Sequence, residues 1–466
     1  MANFHPSHLF TLLCAASATA QGSWSNPLPQ TGRPTARQSL HQTTYDRAND
    51  RLVLFGGDPG AGGSYRSETY LMSCATNAWT LGPAGPSARA YHSLTYDAAR
   101  QRVILFGGHL TNPSGPLTDQ TWSFDGTSWT QLTSATRPSP RNGHTAVFDS
   151  VRNCIVLFGG VDTASELHDT WEWDGSRWWA RSSSFPAVGR HNAHGAFDPI
   201  RGRTVLFGGR DNSSPPAFYD GTFEWDGATW SNRAPAVRPL GRAGGVMCYD
   251  EAMDRVVLHS GNSSSGLLSD TWYWDGSTWE NHTHGNAPAP RTCAGMVYDP
   301  IRARLLLFGG GEATARSNNL WAFAPAIPAA YRTFGSGCPG NGQAPTLTLA
   351  DHRLPWVGGN YGIRIGNAPQ PGSLILVTGF SRQTWNGAPL PASLQPFGAP
   401  NCFLLVSPDL MEVQFHAGNP VLTRSVPATV SLAGFALHHQ VAVYAPNANA
   451  LQMLASNAGE AAIGLR

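Results

Sequence analysis

A short pattern recurs six times along this 466-residue chain, and it restricts the available folds more than any other feature. Each copy is an apolar run closed by two glycines, as in Arg304–Gly310 (RLLLFGG), and the fifth copy is degraded to His259-Ser260-Gly261. The first glycine position falls at 56, 107, 159, 208, 260 and 309, so the period is 49–52 residues. A period of this length indicates a solenoid, a propeller or a related array of repeated units.

Each apolar run lies within a longer repeated unit. An aromatic-Asp pair precedes the run, and an aromatic segment with an Asp-Gly turn and a second tryptophan follows it, most clearly in Asp169–Trp178 (DTWEWDGSRW). An uninterrupted apolar run predicts a strand that is buried on both faces, the glycine pair predicts its end, and Asp-Gly is a typical hairpin turn. We therefore predict a four-stranded antiparallel meander per unit. Its strands are named a to d in chain order: a ends at the aromatic-Asp pair, b is the apolar run, and d carries the second tryptophan.

A lone sheet of this composition would expose an aromatic face, so the six sheets should stack radially as the blades of a β-propeller. The sixth unit has strand c at Trp321–Phe323 but lacks the Asp-Gly turn and the second tryptophan. Ser23–Asn26 near the other end of the chain matches Thr229–Asn232, which is strand d of the fourth unit. The sequence therefore predicts an all-β, six-bladed propeller whose last blade is completed by the N-terminal strand.

The beginning of the chain indicates export. Residues 1–20 contain an apolar core from Leu9 to Ala18 and end in Ala18-Thr19-Ala20, which is typical of a secretory signal peptide. The expected location is secreted, periplasmic or at the cell surface. No other stretch has the roughly 18 apolar residues that a membrane span needs. The formal net charge of +1 argues against binding to nucleic acid or to an anionic membrane surface.

A second domain follows the repeats. Residues 21–329 are assigned to the propeller and residues 330–466 to an antiparallel β-sandwich, with Ala326–Arg332 as the connection. The sandwich is predicted from short, evenly spaced strands, which are Thr346–Leu349, Ser373–Thr378, Cys402–Val406, Glu412–His416, Ala428–Leu432, Gln440–Tyr444 and Leu451–Leu454. Cys338 and Cys402 lie beside turn residues, and export permits a disulfide between them. The four cysteines of the repeats lie in strand-like segments and are predicted to be small buried residues.

The repeat unit resembles the kelch family, within the superfamily of the galactose oxidase central domain. The variant at Thr170–Gly175 (TWEWDG) is similar to exported bacterial kelch proteins. The segment from Phe334–Gly340 (FGSGCPG) to the C terminus resembles a module found on secreted bacterial proteins of unassigned role. The resemblance implies the propeller fold, but this fold serves many functions and does not by itself assign one.

The primary functional hypothesis is an exported, monomeric, non-catalytic binding or scaffold protein. In a meander the b–c and d–a loops share one face, and here they are long and varied, as at 58–67, 109–119 and 210–220, whereas the a–b and c–d turns are short. Binding residues concentrate on variable loops, so this face should recognise an extracellular or cell-surface glycan or protein. The alternatives are a sugar-modifying enzyme resembling the exported kelch sialic acid epimerases and a copper oxidase resembling galactose oxidase. No catalytic acid/base pair stands out, and no cofactor is expected.

Five arginines occupy one repeat position, eight residues before the aspartate that ends strand a: Arg89, Arg141, Arg190, Arg242 and Arg291. Arg37 is offset by one residue. The functional interpretation is a ring of guanidinium groups at the channel mouth that binds carboxylate or polyhydroxyl groups. The structural interpretation is that each arginine ties loop carbonyls and neighbouring blades together. Trp179 lies on the face of strand d opposite to Trp178, where it could stack on a sugar ring or simply pack.

Three histidines, His41, His92 and His144, also share a repeat position, but alanine or glycine replaces them in the later units. Three converging imidazoles can bind a metal. The alternative is a packing residue that has drifted, because no cysteine or carboxylate spacing supports a metal site. Tyr91-His92 is similar to the Tyr-His pair among the copper ligands of galactose oxidase. The sequence therefore predicts no metal site. A copper site is kept only as part of the copper-oxidase alternative.

Overall fold

The computed structural model describes residues 23–25, 28–34, 42–60, 63–112, 114–181, 185–283, 286–324, 330–338, 343–350, 355, 359–368, 372–416, 420–427, 432, 434–446 and 448–463. These residues form two compact units. One unit spans Ser23–Ala324, and the other consists of the described residues from 330 onward. Apart from 3-10 segments at Gln395–Phe397 and at Leu432, the regular elements among the described residues are β-strands.

The first unit contains six four-stranded antiparallel sheets. Strand a of blades 1 to 6 spans Gln42–Asp46, Ser93–Asp97, Thr145–Asp149, His194–Asp198, Val246–Asp250 and Gly295–Asp299. Strand b spans Arg51–Phe55, Arg102–Phe106, Cys154–Val161, Arg203–Phe207, Arg255–Ser263 and Arg304–Phe308. Strand c spans Glu68–Ser73, Thr121–Phe124, Glu166–Trp173, Thr222–Trp225, Gly266–Trp274 and Leu320–Ala324. Strand d spans Ala78–Ala84, Trp129–Leu132, Trp178–Arg181, Trp230–Asn232, Trp279–Asn281 and, in blade 6, Ser23–Trp24.

The N-terminal strand closes the ring, as predicted. Ser23 and Trp24 pair antiparallel with Ala324 and Phe323 of the sixth blade. The indole of Trp24 donates to Thr271 Oγ1 of blade 5 over 3.2 Å, as Trp178 donates to Thr121 Oγ1 between blades 3 and 2. The innermost strands a contact one another around the ring, including those of blades 1 and 6. The six-bladed propeller predicted from the repeats is thereby confirmed.

Strand b supplies most of the core between blades. Its side chains after the first residue are almost fully buried in every blade. Between blades 1 and 6, Leu52 and Leu54 pack with Leu306 and Phe308 in one cluster, so apolar burial reinforces the closure made by hydrogen bonds. The same type of cluster fills the other interfaces, which explains why the apolar run recurs in each unit.

The glycine pair does not always end strand b, contrary to the sequence prediction. In blades 3 and 5 the strand continues through the pair to Val161 and Ser263, with a register shift beside Gly160 and Gly261. Only short connections lead to strand c in these two blades, so the hairpin ladder extends past the bulge. Blades 1, 2 and 4 have long b–c loops instead.

The second unit is an antiparallel sandwich, as predicted. Its five-stranded sheet has the order Ala330–Phe334, Met453–Ala462, Ala436–Tyr444, Gly372–Gly379 and Leu410–His416, and its three-stranded sheet has the order Thr346–Ala350, Asn360–Gly366 and Val421–Ser425. Side chains from both sheets share one buried cluster. Short strand pairs join Thr384–Trp385 to Ala388–Pro389 and Ala392–Ser393 to Phe403–Leu404.

Several strand boundaries of the sandwich differ from the prediction. Ala330–Phe334, partly assigned to the connection, is an edge strand, and Met453–Ala462 extends well beyond Leu454. The extension is rich in alanine and glycine, which have low strand propensity, so tertiary pairing outweighs local preference there. Of the predicted strand at 428–432, all but Leu432 lies outside the described residues.

The disulfide predicted between Cys338 and Cys402 is present, with the sulfur atoms 2.07 Å apart. Both residues are buried in a small cluster with Ala399 and Ala455. The four other described cysteines form no disulfide; Cys74 and Cys154 are buried, and Cys248 and Cys293 are partly buried. In the part of the chain that the structure describes, no helix has the length and apolarity required to cross a membrane.

Candidate binding site on the propeller axis

The d–a and b–c loops meet at one face of the propeller, which we call the loop face. In blade 2, Arg89–Ala90 pairs with His109–Leu110, and in blade 6, Arg291–Thr292 pairs with Gly311–Glu312. In the other three blades with a described d–a loop, an isolated backbone bridge joins the same positions. The loops that vary most in sequence are therefore fastened to each other close to the propeller axis.

The five arginines at the shared repeat position are buried beneath the loop face. Their exposed fractions are between 0 and 2%. In every case Nε donates to the carbonyl two residues earlier, and Nη1 donates to the carbonyl 18 residues later, at the glycine pair of the same blade. The side chain thus holds the d–a loop against the end of strand b.

The glycine pair also contacts the backbone of the corresponding arginine in the next blade. Gly107 and Gly108 have φ values of +68° and +100°. A Cβ on Gly107 would lie 2.9 Å from the carbonyl oxygen of Arg141, and Gly108 N–H donates to the same oxygen over 2.9 Å. Glycine adopts this conformation and allows the close approach without strain, although in blade 5 Ser260 takes the first position with a φ of +62°. The arginine and the glycine pair therefore form one inter-blade tie, which the repeat preserves.

Four of the five guanidinium groups also have a polar side-chain partner on strand c or in the b–c connection of the same blade. Arg141 and Arg242 make bidentate pairs with Asp169 and Asp270, with distances of 2.5–2.8 Å. Arg291 pairs with Glu312 at 3.0 Å, and Arg89 donates to Gln120 Oε1 over 2.8 Å. Burial would raise the pKa of Asp169, but hydrogen bonds from Arg141 and its charge outweigh that effect and hold the pKa below its ordinary value.

Arg190 is the exception among the five. Its repeat partner is Gly221, and the ring of Phe223 occupies the space that a side chain at 221 would take. The guanidinium carbon instead lies 4.6–5.1 Å from the ring centroids of Phe185, Tyr219 and Phe223. Burial lowers the pKa of Arg190 to about 10, so the group is still charged at neutral pH. Cation–π contacts replace the ion pair in this blade.

These contacts match the structural interpretation of the arginine ring. The guanidinium groups are occupied by loop carbonyls and by residues of their own blade, and none of the five arginines lies among the described residues that line the axial cavity. The equivalent Arg37 lies outside the described residues. The sequence located the repeat position and left both interpretations of the side chains open.

A cavity of about 150 Å³ lies on the propeller axis at the loop face. Every blade contributes the start of its strand a, and blades 2 to 6 also contribute the end of the d–a loop. The lining is formed by Gln42–Thr43, Tyr91–Leu94, Gly143–Ala146, Asn192–Gly195, Gly244–Met247 and Cys293–Met296. No acidic or basic residue other than histidine is among these, so the described lining is polar and uncharged when the imidazoles are neutral.

A belt of backbone hydrogen bonds fixes the mouth of the cavity. Gly143 N donates to Tyr91 O, Asn192 N to Gly143 O, Gly244 N to Asn192 O and Cys293 N to Gly244 O, over 2.5–3.0 Å. All five residues have positive φ, between +51° and +64°. The repeat therefore selects glycine or asparagine here most easily, and Tyr91 and Cys293 hold the same conformation at higher strain. The belt places the side chains of Tyr91, Asn192 and Cys293 at the mouth, and Gly143 and Gly244 leave the mouth open at their positions.

The imidazoles of His144 and His194 are neutral, and that of His144 also acts as a packing group. His144 Nε2 lies 3.0 Å from Ser93 Oγ of the preceding blade, and its ring packs edge-on against Phe106. Burial lowers the pKa of His144 and of His194 to about 3, and the charges of Arg141 and Arg242 add to the effect. His144 Nδ1, His194 Nε2 and Thr43 Oγ1 are buried without a protein partner. Such atoms need a polar occupant nearby, whether water or ligand.

The structure offers no metal centre in its described part. No group of three or more His, Cys, Asp or Glu residues is arranged to hold an ion among the described residues. His41, the third histidine of the predicted cluster, lies outside them.

Trp179 lies on the outer strand of blade 3 and is 40% exposed. Its indole N–H donates to Asp174 over 2.7 Å, and the guanidinium carbon of Arg177 lies 3.6 Å from its ring centroid. The residue is exposed, but a charged side chain of its own hairpin already stacks on the ring. Trp179 is not among the residues of the axial cavity.

Sequence reasoning missed the residues that form the cavity mouth. Tyr91, Asn192 and Cys293 stand six residues before the aspartate of strand a, where Gly143 and Gly244 stand in other blades. The alternation of glycine and asparagine at one repeat position is a signal for positive φ. Reading that column across the repeats would have indicated a ring of loop residues around the axis.

Comparisons with known proteins support the repeats. The family model described as the KLHDC2/KLHL20/DRC7 Kelch-repeats domain matches residues 8–183. Dynein regulatory complex subunit 7 of Chlamydomonas reinhardtii is 31% identical over 123 residues, which are 25% of this chain and 10% of that protein. The solved structure titled "Structure of YjhT" aligns with a TM-score of 0.48 and 16% identity over 72% of this chain and 99% of that chain. The chain thus spans about a tenth of its curated relative. The family model shows kelch-type repeats within residues 8–183, and the same four-stranded sheet is present in all six blades.

Proposed function

We propose that the protein is an exported, non-catalytic binding protein that recognises a glycan through the axial cavity of its loop face. The observation that carries this proposal is the polar, uncharged lining, with buried hydrogen-bonding atoms that lack a protein partner. Export itself rests on the predicted signal peptide at residues 1–20, and the glycan is therefore expected outside the cytoplasm.

The size of the cavity suits one sugar ring. A cavity of about 150 Å³ holds a six-membered ring such as benzene when its walls are apolar. Here the walls carry hydroxyl, amide and imidazole groups, including those of Ser93, Thr145 and Asn192. Each of these groups can both donate and accept hydrogen bonds, which suits a ligand whose hydroxyl groups do the same.

The chemistry of the lining favours a neutral ligand. A charged group would need a compensating charge when it is buried, but the described lining has no carboxylate and no guanidinium group. His144 and His194 remain neutral at physiological pH because their pKa values lie near 3. The same facts favour binding over catalysis, since a general acid or base works best with a pKa near the working pH.

The propeller also suits a scaffold role, because the cavity is held rigidly. The inter-blade ties and the backbone belt fix the loop ends, so little ordering is needed when a ligand binds. The long loops at 58–67, 109–119 and 210–220 surround this face and can contribute specificity.

The test is a glycan array probed with the purified full chain, followed by calorimetric titration with each neutral oligosaccharide that binds. Asn192→Gly removes one polar side chain at the mouth, and Gly143 and Gly244 show that this position accepts glycine. Loss of one hydrogen bond of about 1–1.5 kcal/mol corresponds to a roughly tenfold weaker affinity. Asn153→Gly is the matched control, because Asn153 also has positive φ but lies in the a–b turn on the opposite face.

The proposal predicts weaker binding for Asn192→Gly and unchanged binding for Asn153→Gly. Binding restricted to anionic glycans, or equal affinity for both variants, would show that the cavity is not the site. If the array is negative while a secreted protein is captured through the same face, with the same dependence on Asn192, the scaffold role is retained and the glycan is replaced by a protein ligand.

A further inference from the structure

The C-terminal unit has a free sheet edge with exposed apolar side chains. Leu410–His416 is the last strand of the five-stranded sheet; it pairs with Gly372–Gly379 on one side, and no described residue pairs with its other edge. Met411, Val413 and Phe415 are 62, 65 and 86% exposed. Proteins usually protect such an edge with lysine, proline or a bulge. This strand has neither residue, and its register runs without a shift.

The exposed side chains continue an apolar surface on the outer face of the sheet. Met411 lies opposite Val377, and Val413 lies opposite Ile375, and paired residues of an antiparallel sheet share a face. Val377 is buried in a small cluster with Leu405. The apolar outer face therefore extends across the sheet and stops at the unpaired edge.

The alternate residues of the strand face the sandwich core. Glu412 and Gln414 lie opposite Leu376 and Leu374, which are buried in the core cluster. Glu412 also accepts a hydrogen bond from Arg424 of the other sheet over 3.0 Å. The strand is thus apolar on one face and polar on the other. The order of apolar and polar residues is nearly symmetric about Val413, so it is almost the same in both chain directions.

We propose that this edge is the interface of a homodimer, in which Leu410–His416 pairs antiparallel with the same strand of a second copy. The two-fold axis passes through Val413. In this register all seven residues are paired, and the two five-stranded sheets become one continuous sheet. Main-chain hydrogen bonds between the two copies then satisfy the backbone N–H and C=O groups of the unpaired edge, as in other cases of strand addition.

The side chains select a second copy as the partner. On the outer face Val413 meets the partner's Val413, and Met411 meets the partner's Phe415. On the inner face Glu412 meets the partner's Gln414, so a carboxylate lies opposite an amide donor and not opposite its own copy. A shift of the axis to residue 412 would place the two Glu412 carboxylates face to face, which is destabilising. An isologous contact of this kind closes after two subunits.

This inference replaces the monomer expected from the sequence and does not depend on the proposed ligand. A dimer would carry two axial cavities on one particle. Binding to a surface that displays many copies of a glycan would then be strengthened by avidity.

The test measures the mass of the purified full chain by sedimentation equilibrium at micromolar concentrations. The parent is expected to dimerise reversibly. Val413→Lys is expected to weaken dimerisation by at least tenfold, because it places two ammonium groups at the two-fold axis. Val151→Lys is the matched control: Val151 is 60% exposed, but it lies in an a–b turn of the propeller. The far-ultraviolet spectrum and the melting temperature of both variants show whether they are folded.

Cross-linking tests the register. A Val413→Cys variant should form a disulfide-linked dimer on mild oxidation, since directly opposed Cβ atoms lie about 4.5–5.5 Å apart. A Met411→Cys variant should not form this disulfide. In the proposed register position 411 faces the partner's Phe415, so the two copies of position 411 are four residues apart along the paired strands. A parent that is monomeric at all concentrations, a dimer that survives Val413→Lys, or equal cross-linking of both cysteine variants would overturn the proposal.

Discussion

The replacement Arg242→Ala is expected to destabilise the propeller by about 3–5 kcal/mol. The side chain has no exposed surface and forms a bidentate pair with Asp270. Its removal leaves the carbonyl oxygens of Leu240 and Ser260 without their donor and leaves the carboxylate uncompensated. The side chain of Asp270 is 22% exposed, so partial rehydration places the expected loss near the lower end of the range.

Two further variants separate the ion pair from the loop ties. Arg190→Ala removes the same two kinds of carbonyl contact but leaves no carboxylate behind, because aromatic rings surround this guanidinium group. It should therefore cost less than Arg242→Ala. In the background of Asp270→Asn, the cost of Arg242→Ala should fall by at least about 1 kcal/mol, since the two residues are directly coupled.

Guanidinium-induced unfolding followed by tryptophan fluorescence measures these changes, because fourteen of the sixteen tryptophans lie between residues 23 and 324. At roughly 2 °C per kcal/mol for a unit of this size, Arg242→Ala should also lower the melting temperature by about 6–10 °C. If the alanine variants at all five arginine positions melt within one degree of the parent, the arginines do not support the loops. The ligand-binding interpretation of the ring would then be the better one.

Four other outcomes are expected. Deletion of residues 21–36 should lower the melting temperature sharply and increase aggregation, because it removes strand d of blade 6 and exposes a sheet edge; light scattering during a thermal ramp measures this, and an equally stable variant would contradict ring closure. Peptide mapping without reduction should recover Cys338 linked to Cys402, and replacing both with serine should cost on the order of 4 kcal/mol for this 64-residue separation; free thiols at both positions in the parent would contradict the bond. Acidification from pH 6.5 to pH 4 should lower stability through His144 and His194, because their pKa values are about 3 in the folded state and the unfolded chain takes up the protons first; His194→Asn should reduce the slope of the urea midpoint against pH, and an unchanged slope would exclude that residue. Added copper should yield no hydrogen peroxide from galactose, and measurable release in a peroxidase-coupled assay would revive the oxidase alternative.

The sequence by itself determined the architecture of the propeller, because similar local signals recur along the chain. A buried apolar strand that reaches a glycine marks every blade, an Asp-Gly hairpin marks blades 2 to 5, and the incomplete sixth unit together with Ser23–Asn26 defines the closure. These signals are short-range and depend on backbone conformation and burial, so they can be recognised without knowledge of distant contacts. The sandwich was less clear, since strands such as Met453–Ala462 depend on their neighbours for pairing.

Only the tertiary structure decided what the repeat positions do. The column that contains Arg141 and Arg242 was visible in the sequence, but the direction of each side chain depends on the glycine pair of its blade and on whether an acceptor such as Asp270 stands on strand c. The axial cavity arises where six segments distant in sequence converge, and no single segment carries its pattern. The repeated pattern reveals the fold, because every unit forms its sheet from similar local interactions. The site depends on how the units differ at equivalent positions, and these differences act together only once the fold brings the units into contact.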